Sequence, residues 1–239
     1  IYDYANVNIA VDEGRSFMSR SGADYDLIYM ALTKTATTAS SSLALVESYI
    51  HTQDAFVECL QHLTPEGKIA FVCQEPALLL RTLLTAREAL REVGVPYEQS
   101  MDHFLAAGLP PHMYITGPYR NILVISRNSI AGEDATAFAE RAIVGGLDPV
   151  YAPGAYVPVP LSWLAENPTM SPEEFVTRYN VERSRSGGMS LNLLPCTDDS
   201  PFVVDLSFGV PAQFSRFLIG ALLAAVVVSA ILLLVLWRE

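Results

Sequence analysis

The sequence predicts an α/β fold in which a mostly parallel sheet with an antiparallel edge hairpin is followed by a transmembrane helix. Two observations predict it: apolar runs of strand length alternate with segments of helical periodicity, and one long apolar run lies near the end of the chain. Strands that alternate with helices form parallel sheets, because each helix returns the chain across the sheet. We expect a sheet domain over 1–145, a proline-rich connecting region over 146–213 and a membrane helix over 214–239.

The first elements are short. We expect a strand over 7–11 and a brief helix over 16–20. Residues 25–32 (YDLIYMAL) form a near-continuous apolar run, which is typical of a strand covered on both faces. A Thr/Ser/Ala-rich loop over 33–42 then lies at the carboxyl end of that strand.

Helix start and stop signals define the next elements. Thr52 can cap a helix that ends at the Thr-Pro-Glu-Gly turn over 64–67, and a strand over 68–73 follows. Pro76 suits the first position of a leucine-rich helix, which Gly94 ends. This helix is the best-defined one outside the C-terminal apolar run.

The later part of the predicted domain closes the sheet. Strands over 112–116 and 121–126, joined by a Gly-Pro turn, indicate a hairpin, and a helix over 133–144 follows. Beyond 145, prolines interrupt regular structure until Ser171-Pro-Glu-Glu, a capping-box pattern, opens a short helix. We expect this region to connect the sheet domain to the membrane helix.

Charge and cysteine content exclude several classes of function. A net charge of -11 argues against a nucleic-acid partner, because phosphate binding needs clustered Lys and Arg. Cys59, Cys73 and Cys196 have neither the CxxC spacing of a zinc site nor the number for a disulfide framework. We therefore expect no metal, and buried free thiols in a reducing, cytoplasmic environment. Because Ile1 rather than Met is first, we expect the natural protein to begin upstream.

The apolar run over 217–237 contains no charged residue. As a helix it would reach roughly 31 Å, the thickness of a bilayer core. Trp237 and Arg238 at its end suit an interface, so we expect the lipid bilayer as a partner. Positive charge near a membrane tends to stay inside, which predicts that the globular domain is cytoplasmic. The arginines before the run are Arg178, Arg183, Arg185 and Arg216.

Several sequence segments occur together in one known family. VDEGRSFM (11–18), YDLIYMAL (25–32) and the run LVESYIHTQDAFVECLQHLTPEGKIAF (45–71) resemble the spermidine synthases, in particular their membrane-associated bacterial relatives. In those relatives a segment similar to PCTDDSPF (195–202) precedes hydrophobic helices. The resemblance covers roughly 4–127 and this later segment. It implies the C-terminal half of a Rossmann-like class I methyltransferase fold, incomplete at its N-terminus, in a bacterial inner membrane.

The resemblance also implies a ligand, S-adenosylmethionine or its decarboxylated form, at the carboxyl ends of the parallel strands. Glu13 matches an acidic residue that approaches the adenine, and Gly14 would let the base come close to the backbone. The alternative is a solvated turn, in which Asp-Glu-Gly is common.

The chain departs from the family in two places. The family's glycine-rich turn has no counterpart here, and the Asp that activates the attacking amine is replaced by Ala31. The family has a second acidic residue just beyond this position, where the present chain has Lys34. Glu47 is a candidate substitute base and Tyr49 a candidate substrate contact, although a helix-start carboxylate and a packed tyrosine explain them equally well.

Other polar residues are weaker candidates. Asp198 and Asp199 could bind a cation or a polar substrate, but Asp-Asp-Ser-Pro also forms an ordinary turn and cap, which we favour. No catalytic role is assigned to the four histidines. Two functions stay open: a membrane-anchored group transferase that uses an S-adenosylmethionine-type nucleoside, or a non-catalytic scaffold or binding module that retains the fold.

Overall fold

A computed structural model of the chain describes residues 6–31, 48–73, 75–110, 120–202, 206, 219–223, 225–226 and 229. The described helices and strands are, in chain order, α1 (Gly14–Arg20), β1 (Tyr25–Met30), α2 (Gln53–Gln61), β2 (Leu63–Cys73), α3 (Pro76–Glu92), β3 (Phe104–Gly108), β4 (Asn121–Ser126), α4 (Gly132–Val144), β5 (Asp148–Tyr151), α5 (Ser162–Glu166) and α6 (Pro172–Arg185). Two short 3-10 helices, Tyr49–His51 and Tyr97–His103, precede α2 and β3.

The five described strands form one mixed sheet in the order β1-β2-β4-β3-β5. Only β1 and β2 are parallel, whereas β4 runs antiparallel to both β2 and β3, and β5 runs antiparallel to β3. The prediction of a mostly parallel sheet is therefore wrong. The sheet is mostly antiparallel because β4 lies between β2 and β3, and runs antiparallel to both, instead of extending the sheet at an edge.

The predicted edge hairpin is also corrected. Strand β4 is hydrogen-bonded on both sides, and β3, which sequence reasoning did not predict, is one of its neighbours. The expected strand over 112–116 lies outside the described residues, as does the expected loop over 33–42.

The predicted helix starts agree with the structure, but α2 already ends at Gln61, and the predicted turn over 64–67 is part of β2. The Thr52 hydroxyl accepts a hydrogen bond from the Ala55 amide and caps α2, and Pro76 occupies the first turn of α3. Gly94 follows α3 with a φ of 95°, a left-handed conformation that glycine adopts without strain. Ser171 and Glu174 form the reciprocal capping box of α6. Each cap satisfies amide groups that would otherwise lack partners in the first turn.

Strand β1 lies at one end of the described sheet. Its only strand partner there is β2, and the side chains of Leu27 and Tyr29 are 58% and 60% exposed. The prediction that this strand is covered on both faces is therefore wrong. Residues 7–11, predicted as a strand, are described without strand structure.

One large core lies between the sheet and helices α2 and α3. Phe56 on α2 and Leu83 on α3 pack with Phe71 of β2, while α4 covers a smaller cluster around Leu105. Burial of each such side chain stabilises the fold by about 1.5–3 kcal/mol. Residues of the predicted connecting region, among them Trp163, contribute to the large core, so this region is part of the packed fold.

The structure contradicts the predicted membrane helix and, with it, the predicted membrane localisation. No helix in the described part of the chain is both long and apolar enough to cross a bilayer. Crossing requires about 20 consecutive helical residues. Within the predicted span over 217–237, only residues 219–223, 225–226 and 229 are described, and the remaining residues lie outside the description.

Candidate functional site

Glu13, the predicted adenine-binding residue, caps helix α1. Its carboxylate accepts hydrogen bonds from the amide of Arg15 at 3.1 Å and from the amide of Ser16 at 2.8 Å. The hydrogen bond from the Ser16 amide is the main reason why the pKa of Glu13 lies below its ordinary value. The carboxylate is therefore ionised at neutral pH and remains exposed at the start of α1.

A cavity of about 460 Å³ lies beside this cap, between α1, the carboxyl half of β1, and α2 with its preceding 3-10 helix. Most of its described lining is apolar, and Arg15 and Glu58 are the charged residues in that part of the lining. The apolar lining includes Phe17, Met18, Ile28, Met30, Ile50 and Cys59. Such a cavity favours a ligand with a flat or apolar body and few polar contacts.

The structure brings two of the predicted site positions together. Gly14, at the start of α1, and Ala31, just after β1, both line the cavity. Glu13 and Tyr49 directly precede the lining residues Gly14 and Ile50 without lining the cavity themselves.

Two other positions singled out in the sequence, Glu47 as the candidate base and Lys34, lie outside the described residues. The only carboxylate in the described lining is that of Glu58.

Arg15 forms a charged network at the cavity wall that sequence reasoning missed. Its Nε donates to Glu58 Oε2 at 3.0 Å, and its Nη1 lies 2.8 and 2.7 Å from the two carboxylate oxygens of Asp198. Asp198 also accepts a hydrogen bond from the Thr52 hydroxyl at 2.6 Å. Arg15 and its two partners, Glu58 and Asp198, come from distant parts of the sequence, so no local motif could have identified them.

The network favours the charged forms of Arg15 and Asp198. Partial burial opposes the charged form of Arg15, yet its hydrogen bonds to Asp198 and Glu58 outweigh this and raise the pKa of Arg15. Burial likewise opposes ionisation of Asp198, but the hydrogen bonds from Thr52 and Arg15 lower the pKa of Asp198. Glu58 is ion-paired with Arg15 through its Oε2 atom.

Asp198 and Asp199 lie in a turn. The Ser200 amide donates to the Thr197 carbonyl at 2.9 Å, so the segment does form the favoured turn. Asp198 pairs with a cationic side chain, that of Arg15. Across the described residues, no group of three or more His, Cys, Asp or Glu is arranged to hold a metal ion.

The cysteines agree with the prediction of buried free thiols. Cys59, Cys73 and Cys196 are all buried and unpaired with one another. Burial raises the pKa of Cys59, a cavity residue, and of Cys73 to about 12. These thiols are therefore protonated at neutral pH and are poor nucleophiles.

Comparison with known proteins gives limited similarity. No protein-family model matches the chain, and no curated protein matches it. Among solved structures, the chain is similar to a probable spermidine synthase from Corynebacterium glutamicum ATCC 13032, with 18% sequence identity and a TM-score of 0.42. The match covers 68% of this chain and 51% of that one, so the chain spans about half the length of that protein. The likeness concerns the fold alone and does not extend to site residues or activity.

Proposed function

We propose that this chain binds an S-adenosylmethionine-type nucleoside at the cavity between α1 and β1, with the Glu13 carboxylate as the acceptor for the adenine amine. One observation carries the proposal. Gly14 and Ala31 are distant in sequence, both lie at positions that the resemblance assigns to a ligand site, and both line the same cavity.

The cavity suits such a ligand in size and chemistry. Its volume of about 460 Å³ lies within the range of roughly 300–1,000 Å³ found for small-molecule pockets. Apolar side chains can cover the faces of a purine ring. A carboxylate has about four acceptor positions, so Glu13 can cap α1 and still accept a hydrogen bond from an exocyclic amine.

Binding without aminopropyl transfer is the form of this function that we favour. Ala31 supplies no proton acceptor at the end of β1, and the Glu58 carboxylate is already paired with Arg15. The chain then acts as a nucleoside-binding module. A group transferase that acts on another acceptor is the alternative, and it requires a base from outside the described lining, such as Glu47.

Calorimetry on the full chain tests the proposal, with S-adenosylmethionine, its decarboxylated form and methylthioadenosine as the ligands. We expect Glu13→Ala to weaken binding by about 1 to 3 kcal/mol, because the adenine amine loses its acceptor. Glu13→Ser is the matched control. Serine is a strong N-cap, so this variant keeps α1 capped while it removes the longer carboxylate.

The two variants separate the two roles of Glu13. If the carboxylate contacts the ligand, both variants bind more weakly than the natural chain. If Glu13 acts only as a helix cap, Glu13→Ser binds normally and the assignment of Glu13 is wrong. If none of the three nucleosides binds to the natural chain, the proposed function itself is wrong, and a scaffold role remains.

A further inference from the structure

Helix α1 depends on contacts with the rest of the fold for its position. It has seven residues and buries none of them. Isolated helices shorter than about 12–15 residues are marginal in water. Two of its side-chain interactions are local, since Glu13 caps its own helix and Arg20 pairs with Asp12. The placement of the Glu13 cap beside the cavity therefore requires a longer-range contact.

Arg15 supplies that contact. Its guanidinium group binds Glu58 on α2 and Asp198, which lies 183 residues further along the chain. Both oxygens of Asp198 are within 2.8 Å of one Arg15 nitrogen. The side chains of Arg15 and Asp198 are 26% and 39% exposed, so solvent weakens the pair without removing it.

Asp198 belongs to residues 194–202, here termed the strap, which is bound to helices α2 and α3. Near its start, the Cys196 carbonyl accepts from the Gln53 amide at 2.8 Å, and the Cys196 amide donates to Thr85 Oγ1 at 3.1 Å. Near its end, the Phe202 carbonyl accepts from Arg81 Nη1 at 2.9 Å. Contacts on both sides of Asp198 therefore hold the strap against the core.

We propose that Asp198 is a positioning residue of the cavity: it fixes Arg15 from the strap and thereby holds α1, with Glu13 and Gly14, at the cavity. The effect on ligand affinity rests on the proposed nucleoside function, whereas the effect on α1 does not. Asp198 acts through Arg15 and is not itself a lining residue of the cavity.

The neighbouring Asp199 provides a matched control. It lies on the same turn and is exposed, and no hydrogen bond or ion pair joins its side chain to another described residue. Asp198→Asn and Asp199→Asn are the same chemical change at adjacent positions. Asp198→Glu keeps the charge and tests whether a carboxylate is what matters.

Amide hydrogen exchange on the full chain, without ligand, tests the contact directly. We expect Asp198→Asn to increase exchange in Gly14–Arg20 by about threefold to tenfold, the range for losing a partly exposed, charge-assisted contact. Exchange in α3 should not change, because local opening does not require the core helix to open. Asp199→Asn should resemble the natural chain, and Asp198→Glu should recover part of the protection.

Two outcomes of the exchange experiment would overturn the proposal. Unchanged exchange in α1 would show that Asp198 does not hold it. An equal increase in α1 and α3 would show a general loss of stability instead of positioning.

Calorimetry with methylthioadenosine then tests the consequence for the site. We expect Asp198→Asn to weaken binding by about threefold to tenfold, in parallel with the exchange at α1. Faster exchange at α1 with unchanged affinity would overturn the positioning of the ligand site. Failure of the natural chain to bind any nucleoside would instead refute the proposed function, and the exchange result would still decide whether Asp198 holds α1.

Discussion

The guanidinium carbon of Arg87 lies 3.8 Å from the centre of the Tyr97 ring, and the Arg87 side chain is fully buried. Its Nε donates to Ser100 Oγ and its Nη1 to the Met170 carbonyl, each at 2.8 Å, while Nη2 donates to the Pro168 carbonyl. Arg87 thus joins α3 to the segment between α5 and α6. A planar group with several donors is suited to this task.

Replacement of Arg87 by methionine should destabilise the fold by about 2 to 5 kcal/mol, because buried carbonyl and hydroxyl groups lose their donors. Urea unfolding measures this change. Arg87→Lys, which keeps a charge but not the planar fork, should lie between the natural chain and Arg87→Met. A methionine variant as stable as the natural chain would show that the Arg87 hydrogen bonds contribute little.

His51 should make the stability of the fold depend on pH. The ring is buried and packs edge-on against Phe71, with a centroid distance of 4.9 Å, and its Nδ1 contacts the Ser48 hydroxyl. Burial lowers the pKa of His51 to about 4. In the unfolded chain the pKa of histidine is about 6.5, so between these two values only the unfolded chain binds the proton.

The direction of the pH dependence follows from this difference in pKa between the folded and unfolded chains. The contribution of His51 to the free energy of unfolding is fully present above about pH 6.5. It is lost as the pH falls toward 4, by up to about 3 kcal/mol. Urea unfolding at pH 7, 5.5 and 4 should show the stability difference between the natural chain and His51→Asn shrinking as the pH falls. A difference that stays constant over this range would mean that His51 is not buried in its neutral form.

The chain should not form spermidine by the usual aminopropyl transfer. A general base typically contributes about 10² to 10⁴ in rate, and Ala31 cannot act as one. Incubation with putrescine and decarboxylated S-adenosylmethionine, followed by chromatography of the products, measures this activity. Robust formation of spermidine would refute the prediction, and its loss in Glu47→Gln would then identify Glu47 as the substitute base.

The amino-acid sequence by itself determined where α2 begins and where α3 begins and ends. Thr52, Pro76 and Gly94 are capping or breaking residues that act within one turn of their own position, and apolar spacing indicates which face is buried. The sequence also determined that position 31 offers no side-chain proton acceptor, because the methyl group of Ala31 cannot accept a proton in any fold.

Only the tertiary structure decided the strand order and the surroundings of Glu13. The placement of β4 between β2 and β3 depends on hydrogen bonds between strands that no local pattern records. Arg15 and Asp198 meet across 183 residues of sequence because the strap is bound to α2 and α3, and contacts at that separation exist only after the core has formed.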